Sequence, residues 1–302
     1  LLLTRVRDLE IHLISDAYVR EDAGGTFGLV PRVLYQEYIR PAADNTILMN
    51  LMCMLVRSEG KWILVDTGLG TKLSEKVIEH YQMLRAGDGL VTHMTRLGVK
   101  PEDVDIVINT HLHADHSGGN TRLGEDGVVA TFPQAEYWVQ RMEWAQASHT
   151  NDRTQGTYFQ ENFQPLLREG RMRLLNGDTW VTDQVGVVLT PGHTRGHQSI
   201  LLRSGDWRGL FLSELAPYAV HMMRTPWLAS FDVDPIRALE TKVRWQKWAL
   251  ENQAWLFFQH DPEHFVGQLF RSDGRLEVRP IPEASPLIDA IPTPEQLRES
   301  SV

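Results

Sequence analysis

Between Thr110 and Asn120 the chain reads THLHADHSGGN, three histidines and an aspartate in six positions with only Leu112 and Ala114 between them. Imidazole and carboxylate are the donors that Zn, Fe or Mn take where no thiolate is at hand. In extended backbone, residues two apart point the same way, so His111 and His113 can reach one ion together. Asp115 and His116 follow where Ser-Gly-Gly breaks the strand, and a tight turn there aims them at a second ion. Gly118 and Gly119 are read as supplying the backbone dihedrals of that turn. Four donors are too few for two ions, so the others must come from distant strand ends. His193 in LTPGHTRGH, Glu214 in FLSEL and His260 in LFFQHD each stand at or beside an apolar run. A carboxylate in such a run is costly to bury unless a charge or a metal pairs with it.

The elements that must position these groups are legible around them. NLMCMLVRSEG and KWILVDTGLG form a hairpin of buried strands, and VDIVINT (104–110) is a short strand leading straight into the histidine stretch. LSEKVIEHYQMLR (73–85) has helical apolar spacing, and a second helix covers about 93–97. The later half repeats the rhythm: a strand in VTDQVGVVL, strands in QSILLR and GLFLSEL, and a helix over 234–252 with Ile236, Leu239, Val243 and Trp248 as its apolar face. The strand AWLFFQHD then ends in His260. The chemistry thus gathers at strand C-termini, where layered α/β sheets bind ligands. The fold class is α/β: a four-layer αββα sandwich with two central mixed sheets. One domain over 1–280 is expected, with an N-terminal loop arm at about 16–46 and a loosely packed tail at 281–302.

Composition narrows the function. Thirty basic and thirty-nine acidic side chains give a net charge of −9, and no Lys/Arg run exceeds two, which argues against a nucleic-acid partner. The one cysteine, Cys53 in LMCMLV, leaves no internal disulfide or thiolate clip and reads as a small buried hydrophobe. LLLTRVRDLEIHLI is too short and too charged for a signal peptide or membrane span, and an opening without Met suits a trimmed chain. A cytoplasmic location without membrane association is expected, and a homodimer is left open. HDPEH (260–264) matches a zinc-protease pattern, but Pro262 is incompatible with the helix that pattern needs.

The set His111, His113, Asp115, His116, His193, Glu214 and His260 resembles the metal ligands of the metallo-β-lactamase fold superfamily, and VDTGLG is similar to its Asp-Thr-Gly turn. The resemblance spans about residues 45–262. It implies two divalent ions, Zn foremost with Fe, Mn or Co as alternatives. His111, His113 and His193 would hold one ion, Asp115, His116 and His260 the other, and Glu214 would bridge. Asp66 and His197 would stand behind the ligands and hold them. The family usually has Asp where this chain has Glu214, whose extra methylene changes how it can span two ions. Asp115 would orient the water or hand a proton to the leaving group, and Tyr218 would donate a hydrogen bond to the substrate oxyanion, since lactonases of the superfamily carry a Tyr near this place.

The expected function is metal-dependent hydrolysis, by metal-bound hydroxide, of an ester-like bond in an apolar small molecule: a lactone, an aryl ester or an organophosphate. The chain resembles the branch of acyl-homoserine lactonases and methyl-parathion-type hydrolases. Tyr18, Phe27, Leu29, Val30 and Tyr35 are read as joining Met222, Met223, Trp227 and Phe231 in an apolar pocket wall. Alternatives are an iron-dependent oxidoreductase of the same fold (sulfur-dioxygenase-like), a glutathione thioester hydrolase, and a non-catalytic binding protein with a degenerate site. The flavodiiron type has Glu where Ala114 stands, which argues against that form.

Overall fold

Glu59 and Gly60 both adopt positive φ, 50° and 80°, as a two-residue hairpin turn requires, and the strands they join are the centre of the first sheet. The structure, a computed structural model, describes residues 4–6, 9–284 and 291–299. The strands in chain order are β1 Thr4–Val6, β2 Leu9–Asp22, β3 Thr46–Ser58, β4 Lys61–Val65 and β5 Val104–Ile108. They continue with β6 Thr121–Gly124, β7 Gly127–Ala130, β8 Glu136–Gln140, β9 Met172–Leu175, β10 Thr179–Trp180 and β11 Val185–Leu189. Last come β12 Gln198–Ser204, β13 Trp207–Phe211, β14 Trp255–Phe257, β15 Val266–Ser272 and β16 Arg275–Pro280. One seven-stranded sheet has the order β1-β2-β3-β4-β5-β8-β9 and the other β10-β11-β12-β13-β14-β15-β16, while β6 and β7 form a separate hairpin. Both large sheets mix parallel and antiparallel pairs, as expected.

Alternation along the strands builds the layers. Met52, Met54 and Val56 of β3, with Ile63, Val65, Ile106 and Ile108, face Val187, Ile200, Phe211 and Phe257 of the second sheet in one central core. The intervening Cys53, Leu55, Leu64 and Val107 point outward under Leu90 and Met94 of the helix Leu90–Arg96. Leu210 and Leu256 point outward on the other side, under Trp245 and Ala249 of the helix Pro235–Asn252. The result is the four-layer αββα order. No helix among the described residues is long and apolar enough to cross a membrane.

Four details differ from the sequence reading. Residues 16–22 belong to β2, not to a loop arm: the strand bulges between Ser15 and Tyr18 and then pairs with β3 as far as Asp22. Short helices at Ala23–Phe27 and Arg32–Tyr35 occupy part of the remainder. The segment 73–85 is helical only over Glu75–His80. The helix Pro235–Asn252 buries Ala238, Thr241, Lys242, Trp245, Gln246 and Ala249, leaving Ile236 and Val243 exposed. After Pro280, Ile281, Ala284 and Ile291 are buried in the central core, so the tail is anchored at these three residues, while 285–290 and 300–302 lie outside the described residues.

Candidate metal centre

Five strand C-termini meet at one rim. β4 and β5 run into Asp66 and His111, and β11, β13 and β14 run into the segments carrying His193, Glu214 and His260. The backbone ties the two sheets together here: Asn50 N–H donates to His260 O at 3.0 Å and Gln198 N–H to Thr110 O at 2.9 Å. Gly118 and Gly119 are needed for close approach, not for unusual dihedrals. Gly118 has an ordinary φ of −57°, but a methyl group on it would stand 2.2 Å from Leu69 O, and one on Gly119 2.2 Å from Thr67 O. The Asp-Thr-Gly turn thus packs directly against the histidine motif.

The candidate donor atoms fall into two triads, His111/His113/His193 and Asp115/His116/His260, each with its atoms within 4.8 Å of one another. His193 Nε2 and His113 Nδ1 lie 3.1 Å apart. His111 Nε2 and His260 Nε2 are buried without a hydrogen-bond partner, although His260 Nε2 stands only 2.6 Å from Glu214 Oε1. Burial, reinforced by the neighbouring imidazoles, holds His111 and His113 well below the usual histidine range, so both rings are neutral with lone pairs to offer. Imidazole nitrogens that converge without a thiolate, His111 Nε2 among them both neutral and unpartnered, fit a borderline divalent ion such as Zn. Burial favours protonated carboxyls at Asp115 and Glu214. His116 at Asp115, and His260 at Glu214, outweigh it and keep both well below the carboxylate norm.

Glu214 sits between the triads. Oε1 is 2.6 Å from His260 Nε2 and 3.7 Å from His116 Nε2, while Oε2 is 3.8 Å from His193 Nδ1. Ser213 before it has φ 49°, and Asp66 has φ 55°; both are sparsely populated conformations for non-glycine residues, here flanking the site.

Three of the candidate ligand rings are held from behind by a second contact, as is usual for metal-binding histidines. Asp66 Oδ2 accepts from His116 Nδ1 at 3.0 Å, His193 Nδ1 donates to Asp232 Oδ1 at 3.1 Å, and His260 Nδ1 donates to Asn50 O at 2.8 Å. His197 has both nitrogens engaged: Nδ1 with Thr190 and Nε2 accepting from Glu214 N–H at 3.2 Å. Burial lowers it to about 3, so it is a neutral brace for Glu214. Asp232 and Glu143 escaped the sequence reading. Glu143, fully buried, accepts from Leu112 N–H and Tyr158 O–H, both at 3.0 Å, and from the Thr194 hydroxyl. It thereby joins the loop of His111 and His113 to that of His193. The sequence signal was a Glu on the short helix Arg141–Ser148, which by itself points to nothing.

A cavity of about 860 Å³ opens over the centre. Of the residues expected in its wall, Phe231 lines it. Tyr18, Phe27 and Tyr35 are buried in cores, and Leu29 is fully exposed. The apolar wall comes instead from Val19, Met49, Leu69, Leu73, Val77 and Phe159. The segment 73–85, expected as a helix, turns Leu73, Val77 and Tyr81 to this cavity. Tyr218 lines the cavity, but its hydroxyl donates to Leu48 O at 3.0 Å. Asp115 is the ligand most open to the cavity, at 28% side-chain exposure against 10% for Glu214.

A family profile described as Metallo-beta-lactamase superfamily matches residues 50–207. An N-acyl homoserine lactonase of Bacillus cereus is 30% identical over 234 residues, covering 74% of this chain and 86% of its own. A probable metal-dependent hydrolase from Staphylococcus aureus superposes with a TM-score of 0.83 at 23% identity, over 91% of this chain and 99% of the other. AidC, described as a dizinc quorum-quenching lactonase in complex with a product, superposes with a TM-score of 0.76 at 19% identity, over 93% and 97%.

Proposed function

The chain belongs to the metallo-beta-lactamase superfamily, and on that premise we propose that this hydrolase opens the ester bond of a lactone bearing an apolar N-acyl tail. The observation that carries the reading is the pair of histidine-rich triads, with Glu214 between them, on the floor of an apolar cavity. His111, His113 and His193 would hold one divalent ion and Asp115, His116 and His260 a second. Bound there, such ions polarise an ester carbonyl and bring a water toward ionisation near neutral pH.

The chain's own residues supply the rest. Hydrolysis adds water across the acyl C–O bond: the oxygen goes to the carbonyl carbon and one proton must reach the departing ring oxygen. Asp115 is more open to the cavity than Glu214, and His116, 3.1 Å away, keeps its proton affinity low. It therefore receives a proton only in passing and releases it to the far more basic alkoxide. Asp66, Asp232 and Asn50 O fix ring orientation at His116, His193 and His260, so the donor atoms need no rearrangement before reaction. For Tyr218 to donate to a substrate oxygen, its hydroxyl would have to leave Leu48 O. The apolar Val19, Met49, Leu73 and Val77 in the cavity wall suit an acyl chain.

The test is elemental analysis of protein purified without added metal, with turnover of an N-acyl homoserine lactone, an aryl ester, paraoxon and a glutathione thioester. Lactone opening that a chelator abolishes and Zn restores is expected. Oxygen uptake without hydrolysis would replace the reading with an oxidoreductase.

A further inference from the structure

Glu21 is an acid of the cavity wall that neither triad nor hydrogen bonding accounts for. On β2, Val19 and Glu21 lie two apart and share a face, and both line the cavity, whereas Arg20 turns away to Thr46 Oγ1. Glu21 is wedged beside Gly25 and Phe231: a methyl group on Gly25 would stand 3.1 Å from Glu21 Oε1 and 2.8 Å from the Phe231 ring. Asp115 and Glu214 each have an imidazole nitrogen within 3.1 Å. Among the described residues the Glu21 carboxyl has no hydrogen bond and no ion pair. Burial, and then the charge of Asp115, push its carboxyl up to about 7. It is close enough to the centre to feel Asp115, Glu214 and His260, yet it belongs to neither triad.

A carboxyl withdrawn from water without a donor is costly to keep, so its place in the cavity wall calls for a donor that arrives with the ligand. Two sources offer an N–H here: a neutral amide and a protonated amine. The wall carries the apolar Val19, Met49, Leu73 and Val77, with Lys72, Lys76, His80 and Tyr81 among them. An acylated nitrogen presents its N–H to Glu21 and its chain to that wall, while a free amine has nothing for the wall.

We propose that Glu21 is a specificity-determining residue that accepts a hydrogen bond from the amide N–H of an N-acylated aminolactone, so that the site prefers this class over lactones, aryl esters and organophosphates lacking an N–H. The proposal rests on the lactone reading of the same centre. Glu21 takes no part in bond making or breaking; it orients the ring by its acylamino arm.

The experiment compares kcat/KM of the metal-loaded protein, Glu21→Leu and Glu21→Gln on three substrates. These are N-hexanoyl homoserine lactone, an alkyl γ-lactone of equal chain length without the amide, and the free aminolactone. In Glu21→Leu the ratio of the first to the second is expected to fall by about 10- to 100-fold, the worth of a hydrogen bond to a charged group, mostly through KM. Glu21→Gln, whose amide oxygen still accepts, should recover much of that ratio. Metal content read by elemental analysis should be the same in all three proteins. An unchanged ratio in Glu21→Leu overturns the role of Glu21 and leaves the lactone reading standing. Preference for the free amine overturns the amide assignment. Wild-type protein that opens none of the three lactones overturns the lactone reading and, with it, the selectivity.

Discussion

Replacing Asp66 by Asn changes one atom and should cost one metal site. Asp66 is fully buried and receives four hydrogen bonds. Oδ1 accepts from Thr110 N–H at 2.8 Å, and Oδ2 from Thr110 Oγ1 at 2.8 Å, His116 Nδ1 at 3.0 Å and Gln259 Nε2 at 3.0 Å. In Asp66→Asn the oxygen can stay on Thr110 N–H, which puts the amide NH₂ against the other three donors. Thr110 can rotate its hydroxyl toward Ser213 Oγ, 2.9 Å away, and Gln259 can turn its unpartnered Oε1 onto the new amide. His116 has one escape, to move its proton from Nδ1 to Nε2. Nε2 faces Asp115 and Glu214, so the tautomer that relieves the clash blocks the nitrogen a metal would take. The expected loss is about 10- to 100-fold in affinity for the ion at Asp115/His116/His260, or about 1.4–2.8 kcal/mol.

The metal-free protein gives an independent reading of the same bond. Burial disfavours a charged His116, but Asp115 and Asp66 outweigh it and raise its proton affinity well above the histidine norm. A raised folded value means that this stabilisation is complete below the unfolded value of about 6.5 and is lost as pH rises through the folded one. The gap in urea-unfolding free energy between wild type and Asp66→Asn should therefore be about 2–3 kcal/mol at pH 5.5 and should shrink in alkaline buffer. Chelator-competition titrations and elemental analysis measure the first effect, and urea melts at two pH values the second. Undiminished affinity at that triad, or loss of the other ion instead, would refute the reasoning.

Glu143→Ala leaves Leu112 N–H, Tyr158 O–H and the Thr194 hydroxyl without their buried acceptor, at about 3–5 kcal/mol by urea unfolding. Glu143→Gln keeps an oxygen for Leu112 and an amide for the hydroxyl of Thr194 and should cost only about 1–2 kcal/mol; equal losses in the two variants would show that shape alone matters. Glu214→Ala should lower affinity for the second ion by about 10- to 100-fold, whereas Glu214→Asp, still able to present an oxygen to His260, should keep both ions, with metal-to-protein ratios as the check. Stripping the ions with a chelator should destabilise the fold by about 4 kcal/mol per site at free metal a thousandfold above Kd, seen as a lowered Tm that Zn restores.

The hairpin of β3 and β4, the strand β5 and the helix Pro235–Asn252 were readable because period and turn chemistry agree locally. That helix's buried face was not, because hydrophobicity was the guide. The face is closed by polar groups with distant backbone partners: Lys242 donates to Trp227 O, and Gln246 Nε2 to Met222 O at 2.9 Å. Neither acceptor can be foreseen from 235–252. The N-terminal segment failed for a related reason. Asp16 stands at the bulge of β2, where its carboxylate takes the N–H groups of Leu69 and Leu90 and pairs with Arg85, so an acid inside a strand looked like loop.

Three glutamates show where sequence reading of the site must stop. Glu214 was singled out because an apolar run surrounds it, and its carboxylate lies between imidazoles of the two triads. Glu143, on a helix of mixed character, is the more deeply committed acid, with three donors that are 15, 31 and 51 residues away. Glu21 shares the cavity with Asp115 and Glu214 and has no donor among the described residues. What separates them is the supply of hydrogen-bond donors at each carboxylate, and that supply is set by which loops the two sheets bring to one rim. A motif whose members are neighbours in the chain carries its own geometry, as His111 to His116 do. An acid whose partners come from other loops acquires its role only after the sheets have paired.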